Sequence, residues 1–416
     1  MKHSLLIANG QVVLPDRVIE HGEVLIEDGV ILYSGKQAER DGKTPESVLD
    51  ARGGYVLPGL IDLHSDSIEK ELEPRPGAIF AAEMAFGELE KKLAGNGITT
   101  MYHSFSFAGA EWGIRNDAHA ADCIRKMVAM ACRSWLIRNR IHLRFEITNS
   151  RGVAIARSLI DDCMVDLLSF MDHTPGQGQY QTVEDYQRYM EKTYHLPWSR
   201  IEENLAAREQ GRSQVPGNID QLSEAARHNE IPMASHDDDD PGRLASYRNC
   251  GVTIHEFPVN LAAAEAGHRM GSYVCVGAPN ILRDGSTGKG MRAREAIDAG
   301  AANIICSDYY PPSMLQAVFK LSREAMTLPR AVRLASLEPA RAVGLEVLGS
   351  LEPGHLGDAI VVSLRGGIPV VTDAVVGGAQ VYRINYCSQA GGMPVQHGEA
   401  RSGKFSPHTS HITDRG

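Results

Sequence analysis

Eight short apolar runs, most of them separated by helical patterns, predict a TIM-type (β/α)8 barrel, and turn-punctuated β-rich segments at both ends of the chain predict a small β-sandwich domain beside it. The most informative stretch is residues 55–66, Tyr-Val-Leu-Pro-Gly-Leu-Ile-Asp-Leu-His-Ser-Asp, a nearly continuous apolar run that finishes in His64 and Asp66. Side chains two apart on a strand share a face, so this run delivers an imidazole and a carboxylate into one space. The same alternation of strand and helix permits a doubly wound open sheet as the alternative fold.

The elements follow in order. Within the first fifty residues, runs at 5–8, 11–14, 23–26 and 30–33 are punctuated by Asn9-Gly10 and Asp28-Gly29, both strong hairpin signals. A similar texture returns at 357–362, 369–371 and 378–382. Residues 1–54 with 345–388 are therefore expected to form the β domain, 55–344 the barrel, and 389–416, rich in Gly, Ser, His and Pro, a disordered tail. Barrel strands are expected at 55–63, 97–107, 141–147, 165–171, 231–235, 251–254, 272–276 and 303–307. Helices are expected at 81–94, 117–138, 219–227, 262–270 and 291–300.

Composition narrows the function classes. The chain has 416 residues, 43% hydrophobic and 23% charged, with a formal net charge of -10, which argues against a general nucleic-acid or membrane-surface binder. No apolar run reaches spanning length, and the N-terminus lacks a cleavage-site pattern. Seven scattered cysteines without a C-x-x-C pair point to reduced thiols and a cytoplasmic compartment. Oligomeric state is not legible; a homo-oligomer stays open.

The chemistry concentrates where the strands end. His64 and Asp66 close the first, Glu146 the third, and Asp172-His173 the fourth. His236, followed by four aspartates (237–240), closes the fifth, His255-Glu256 the sixth, and Asp308 the eighth. Buried carboxylates and imidazoles are costly without partners, so their recurrence at strand ends points to one polar pocket, and a divalent metal is the economical partner. Asp172 and His173 read equally as loop caps or substrate contacts. His255 and Glu256 point opposite ways, so only one faces the pocket.

The form LPGLIDLHSD, with His236, Asp308 and the closing GSLEPGHLGDA (349–359), resembles the amidohydrolase superfamily of metal-dependent barrels. Asp66 stands where that superfamily usually has a second histidine. That departure, with LEPRPG (72–77), HLRFE (142–146), SFMDHTPGQGQY (169–180), ASHDDD (234–239), GAPNILRDGS (277–286) and SDYYPPS (307–313), is similar to the PhnM family of α-D-ribose 1-methylphosphonate 5-triphosphate diphosphatases, from the carbon–phosphorus lyase pathway.

The resemblance implies hydrolysis of an anionic ribosyl triphosphate with release of pyrophosphate. It also implies one or two divalent ions, zinc first with manganese or iron as alternatives. His64, Asp66, His236 and Asp308 then read as metal ligands, with Asp308 and His236 catalytic and Asp308 accepting a proton. The superfamily's strand-four lysine is absent, so Glu146 is its expected replacement, and Glu256 is preferred to His255 as the inward residue. Lys70, Arg75, Arg144, Asp172, His173, Arg283 and Lys289 are the expected substrate contacts, a triphosphate requiring basic partners. A C–N hydrolase, deaminase or cyclic amidase, is the runner-up.

Overall fold

The computed structural model describes residues 4–40, 44–109, 115–131, 135–180, 182–194, 197–285 and 290–386. Lys289 and the tail expected at 389–416 lie outside the described residues. The apolar run at 55–66 does not make a single strand. It splits at Pro58-Gly59 into Tyr55–Pro58 and Leu60–Ser65. The first piece pairs with Ala359–Arg365 and Ser4–Val13, and the second opens the barrel. Gly59 sits at the crossing, where a Cβ would lie 2.0 Å from Thr99 Oγ1. The chain passes from one sheet to the other because glycine has no side chain to collide there.

The barrel strands are β1 (Leu60–Ser65), β2 (Ile98–Phe107), β3 (Arg138–Glu146) and β4 (Leu167–Met171). They continue as β5 (Met233–His236), β6 (Val252–Glu256), β7 (Tyr273–Gly277) and β8 (Ile304–Cys306). Each pairs in parallel with the next, and an isolated bridge between Ser65 and Asp308 joins the two ends of the ring. The bridge replaces the open-sheet alternative with a barrel. Along β3 the strand period is plain. Ile141, Leu143 and Phe145 belong to the large apolar core shared with the helices, while the alternate positions carry His142, Arg144 and Glu146.

Helices at Ala82–Gly95, Val215–His228, Leu261–Arg269 and Ala293–Asp298 lie near their expected places. The helix expected to reach residue 138 is described only over Asp117–Ala131, and Arg138 already opens β3. Two further helices, Val183–Tyr194 and Trp198–Gly211, fill the connection between β4 and β5. Their sequences are polar, so periodicity alone did not reveal them; Tyr180, Tyr186, Met190 and Ile201 give this excursion a core of its own.

The remaining eight strands, drawn from 4–58 and 359–383, make a separate sheet. Where a sandwich of two sheets is expected, hydrogen bonding joins them all in one. Leu5, Ile7, Val24, Ile26, Val56, Val361 and Val375 form its core. Arg138 at the start of β3 grips Asp358 through two hydrogen bonds of 2.9 and 3.0 Å, fastening this sheet to the barrel. Among the described residues no helix is long and apolar enough to cross a membrane.

Gly59→Ala should overpack the crossing and cost about 1–3 kcal/mol of stability. The measurement is the urea midpoint, which should fall without a change in slope.

Candidate metal centre

Three barrel strands end in the same backbone device. Asp237, Phe257 and Asp308 follow β5, β6 and β8 with φ of 57°, 52° and 58°, the left-handed region. Each donates its N–H to the next strand round the barrel: Asp237 to the Glu256 carbonyl (2.9 Å), Phe257 to Cys275 (2.9 Å) and Asp308 to His64 (3.0 Å). Left-handed backbone costs a side-chain-bearing residue roughly 1–2 kcal/mol, and such strain gathers at functional sites. Here it turns the chain off β5 and β6 within one residue and off β8 within two, and all three side chains line a cavity of about 1030 Å³ at this end of the barrel.

His64, at the cavity's base, is buried and presents Nδ1 to Glu256 Oε1 at 2.9 Å. The second Glu256 oxygen accepts from Ser169 Oγ, also at 2.9 Å. Burial opposes charge on Glu256, but His64 and His142 hold it ionised, well below the usual carboxylate range. A carboxylate fixing the far nitrogen of an imidazole is the common support for a metal-binding histidine. His255 faces the other way, with Nδ1 2.8 Å from Ser235 Oγ and 3.3 Å from Asp238. Glu256 therefore faces the cluster.

Arg144 stands between two residues expected to bind metal. Nη1 donates to Asp66 Oδ1 at 2.8 Å and Nη2 to His236 Nε2 at 3.0 Å. Asp66, which falls just beyond β1 as the N-cap of Ser67–Leu72, is kept ionised against its burial by Arg144 and by Arg115 at 3.5 Å. Burial and the facing Asp66 charge push Asp308 up to about 7, against the pull of Arg144 and His236. Two neighbouring carboxylates are thus driven apart in proton affinity, the pattern that separates acid from base.

Metal-ligating atoms converge in two sets among the described residues, each with its atoms within 4.8 Å of one another. One is His64, His236 and Glu256; the other is His173, His236 and Asp237. His236 Nδ1 and Asp237 Oδ2 are buried, 3.2 Å apart, and not aligned as a hydrogen bond with each other or anything else. Imidazole and carboxylate donors left unsatisfied in a buried cluster fit a divalent cation.

The other expected residues divide clearly. Glu146 lies outside both sets. It is fully buried and paired with Arg208 at 2.7 Å and His173 Nδ1 at 3.0 Å, which hold it at about 2 despite burial. Asp172 caps its own loop, accepting from the Thr174 N–H at 3.1 Å and from Gln177. Lys70 lines the cavity mouth with Nζ 5.0 Å over the Tyr309 ring, and Arg283 Nη1 reaches the Tyr309 hydroxyl at 3.3 Å. Arg75 is exposed and outside the cavity lining. Sequence reasoning missed Arg115, Arg208 and the second donor set. Arg115 follows a stretch of sequence without periodicity, and Arg208 lies on one of the unforeseen helices, so no local pattern marked either.

A family model described as amidohydrolase family matches residues 55–385. The chain belongs to the amidohydrolase family. It is 32% identical over 368 residues to the α-D-ribose 1-methylphosphonate 5-triphosphate diphosphatase of Escherichia coli (strain K12), covering 86% of this chain and 94% of that protein. It is also 26% identical over 400 residues to an imidazolonepropionase of Porphyromonas gingivalis, covering 86% and 89%. Among solved structures, molinate hydrolase matches with a TM-score of 0.61 and 15% identity over 99% of both chains, a likeness of fold. As an amidohydrolase the chain is a metal-dependent hydrolase, and the two donor sets are its candidate metal groups.

Removing Arg208 tests the buried Glu146 pair. Arg208→Met strands a carboxylate in the protein interior and should cost about 3–5 kcal/mol. Because Glu146 drops from 4.5 to about 2 on folding, its contribution is present above pH 4.5 and disappears as pH falls through 2. Denaturant titrations across that window should show the wild type losing more stability than the variant.

Proposed function

We propose that this chain hydrolyses α-D-ribose 1-methylphosphonate 5-triphosphate to the 5-phosphate and pyrophosphate, in phosphonate catabolism by the carbon–phosphorus lyase route. The observation that carries the reading is the 32% identity with the Escherichia coli diphosphatase, extending over 94% of that protein. The cavity supports it, since donors for a cation sit at its base and Lys70, Arg115 and Arg144 stand around it. Water adds across the anhydride between the first and second phosphorus, and pyrophosphate leaves.

In this reading His64 and His236, supported by Glu256, would hold the ion, with Asp66, Asp237 and Asp308 as the carboxylates at hand. A bound divalent ion supplies a water of lowered pKa and polarises a phosphoryl oxygen. Zinc is the first choice, with manganese or iron as alternatives. Asp308, lining the cavity between the backbones of His64 and Asp66, would take the proton of the attacking water. Lys70 and Arg283, which meet at Tyr309 on the rim, would receive the outer phosphates. Arg208 acts through Glu146 and His173, bracing the wall rather than meeting the substrate. The cytoplasm as compartment, and the division into a β domain (1–54 with 345–388) and a barrel (55–344), belong to the same proposal.

Incubating metal-loaded protein with the ribosyl triphosphate should release pyrophosphate; orthophosphate or no product would overturn the assignment, and ammonia from a cyclic amide or aminopurine would favour the C–N hydrolase alternative. Asp308→Asn should lower kcat by about 10²–10⁴-fold. Its KM should change far less, and an equal effect on binding would remove Asp308 from proton transfer.

A further inference from the structure

Arg144 bridges Asp66 and His236 from inside the barrel, where its side chain is only 7% exposed. Arginine remains a cation and offers only donors, so the nitrogen it meets on His236 has to be the acceptor. Nε2 therefore carries the lone pair and Nδ1 the proton, facing Asp237 Oδ2 at 3.2 Å. An ion on Nε2 needs the lone pair that Arg144 occupies. An ion on Nδ1 drives the proton to Nε2, where it meets the guanidinium donors head on. Neither nitrogen of His236 can ligate while Arg144 stays in place. Both converging donor sets contain His236, so the conflict extends to each of them.

We propose that the Arg144 guanidinium and a divalent cation are alternative occupants of the space between Asp66 and His236. In the metal-free protein Arg144 supplies the positive charge that Asp66 requires, so two ligands do not stand bare beside Asp308. Uptake of the ion breaks both Arg144 hydrogen bonds and releases a cation that already lines the cavity. Arg144 thereby weakens metal binding and acquires its freedom to meet an anionic substrate only once the ion is in. The inference rests on the metal-dependent reading above, and extends it to the order in which charge enters the site.

The test is zinc affinity of the chelator-stripped full-length protein, measured with zinc alone against a competing chromophoric chelator. Arg144→Met should bind zinc about tenfold more tightly or better, since a cation next to the ligands has been removed. Arg144→Lys, which keeps the charge but cannot bridge, should fall between Met and wild type. Arg115→Met is the control, because Arg115 approaches Asp66 only at 3.5 Å and is paired more closely with Glu69, at 2.7 Å; it should shift affinity less than Arg144→Met. Unchanged or weaker zinc binding in both Arg144 variants would overturn the proposal, as would an equal gain from Arg115→Met. Should Arg144→Met not fold, Arg144→Lys alone decides: tighter binding than wild type supports the proposal, equal or weaker binding overturns it. If the wild type itself takes up no zinc, manganese or iron, the metal-dependent reading fails along with the inference.

Discussion

The site depends on two backbone hydrogen bonds that join the last barrel strand to the first. Asp308 donates its N–H to the His64 carbonyl, and its own carbonyl accepts from the Asp66 N–H. This pairing holds the Asp308 backbone between the two residues of the H-x-D motif. The electrostatics then follow from position. Asp66 and Asp308 are forced into proximity, and a low-dielectric pocket does not tolerate two charges there without a cation. Arg144 answers the charge of Asp66, and Asp308 is left with a proton affinity close to neutrality. A single pairing thus sets both the geometry of the ligands and the division of labour between two otherwise similar carboxylates.

Barrel strands bring side chains to a ring, but a regular strand aims only every second one inward. The left-handed residues at the ends of β5, β6 and β8 relax that limit. Each lets consecutive residues contribute to one end of the barrel, so His236 and Asp237 can belong to one donor set although they are adjacent. Below them the base is polar without being open. Asp62 is fully buried, accepts from the His64 and Ser307 N–H groups, and is raised by burial to about 7. A firm base of this kind suits catalysis that relies on preset charge rather than on reorganisation.

Much of this was written in the sequence. Strand positions were legible because buried parallel strands are continuous apolar runs, and their polar last residues stand out against that background. His64, Asp66, His236 and Asp308 were visible for this reason and do converge on one cavity. What could not be read was partnership. Glu146 reads as a metal bridge because the resemblance leaves the absent strand-four lysine to be replaced, while its partner Arg208 lies on a polar helix whose pattern gives no hint of burial. Arg144 was legible as a cation near phosphate, but its hold on Asp66 and His236 is a matter of angle and distance. The run at 55–66 misled in another way, since hydrophobicity continues across Pro58-Gly59 although the chain changes sheets there.

That change of sheets also bears on synthesis. The segment leading into β1 is hydrogen-bonded on one side to Ser4–Val13, which precedes it in the chain, and on the other to Ala359–Arg365, which follows the whole barrel. Until Ala359–Arg365 is synthesised, the edge of Tyr55–Pro58 that receives it has no native partner, and the whole barrel sequence is made in between. An unpaired strand edge is an invitation to the wrong neighbour. Completion of this sheet therefore waits on about three hundred intervening residues, a delay set by topology rather than by the chemistry of the site.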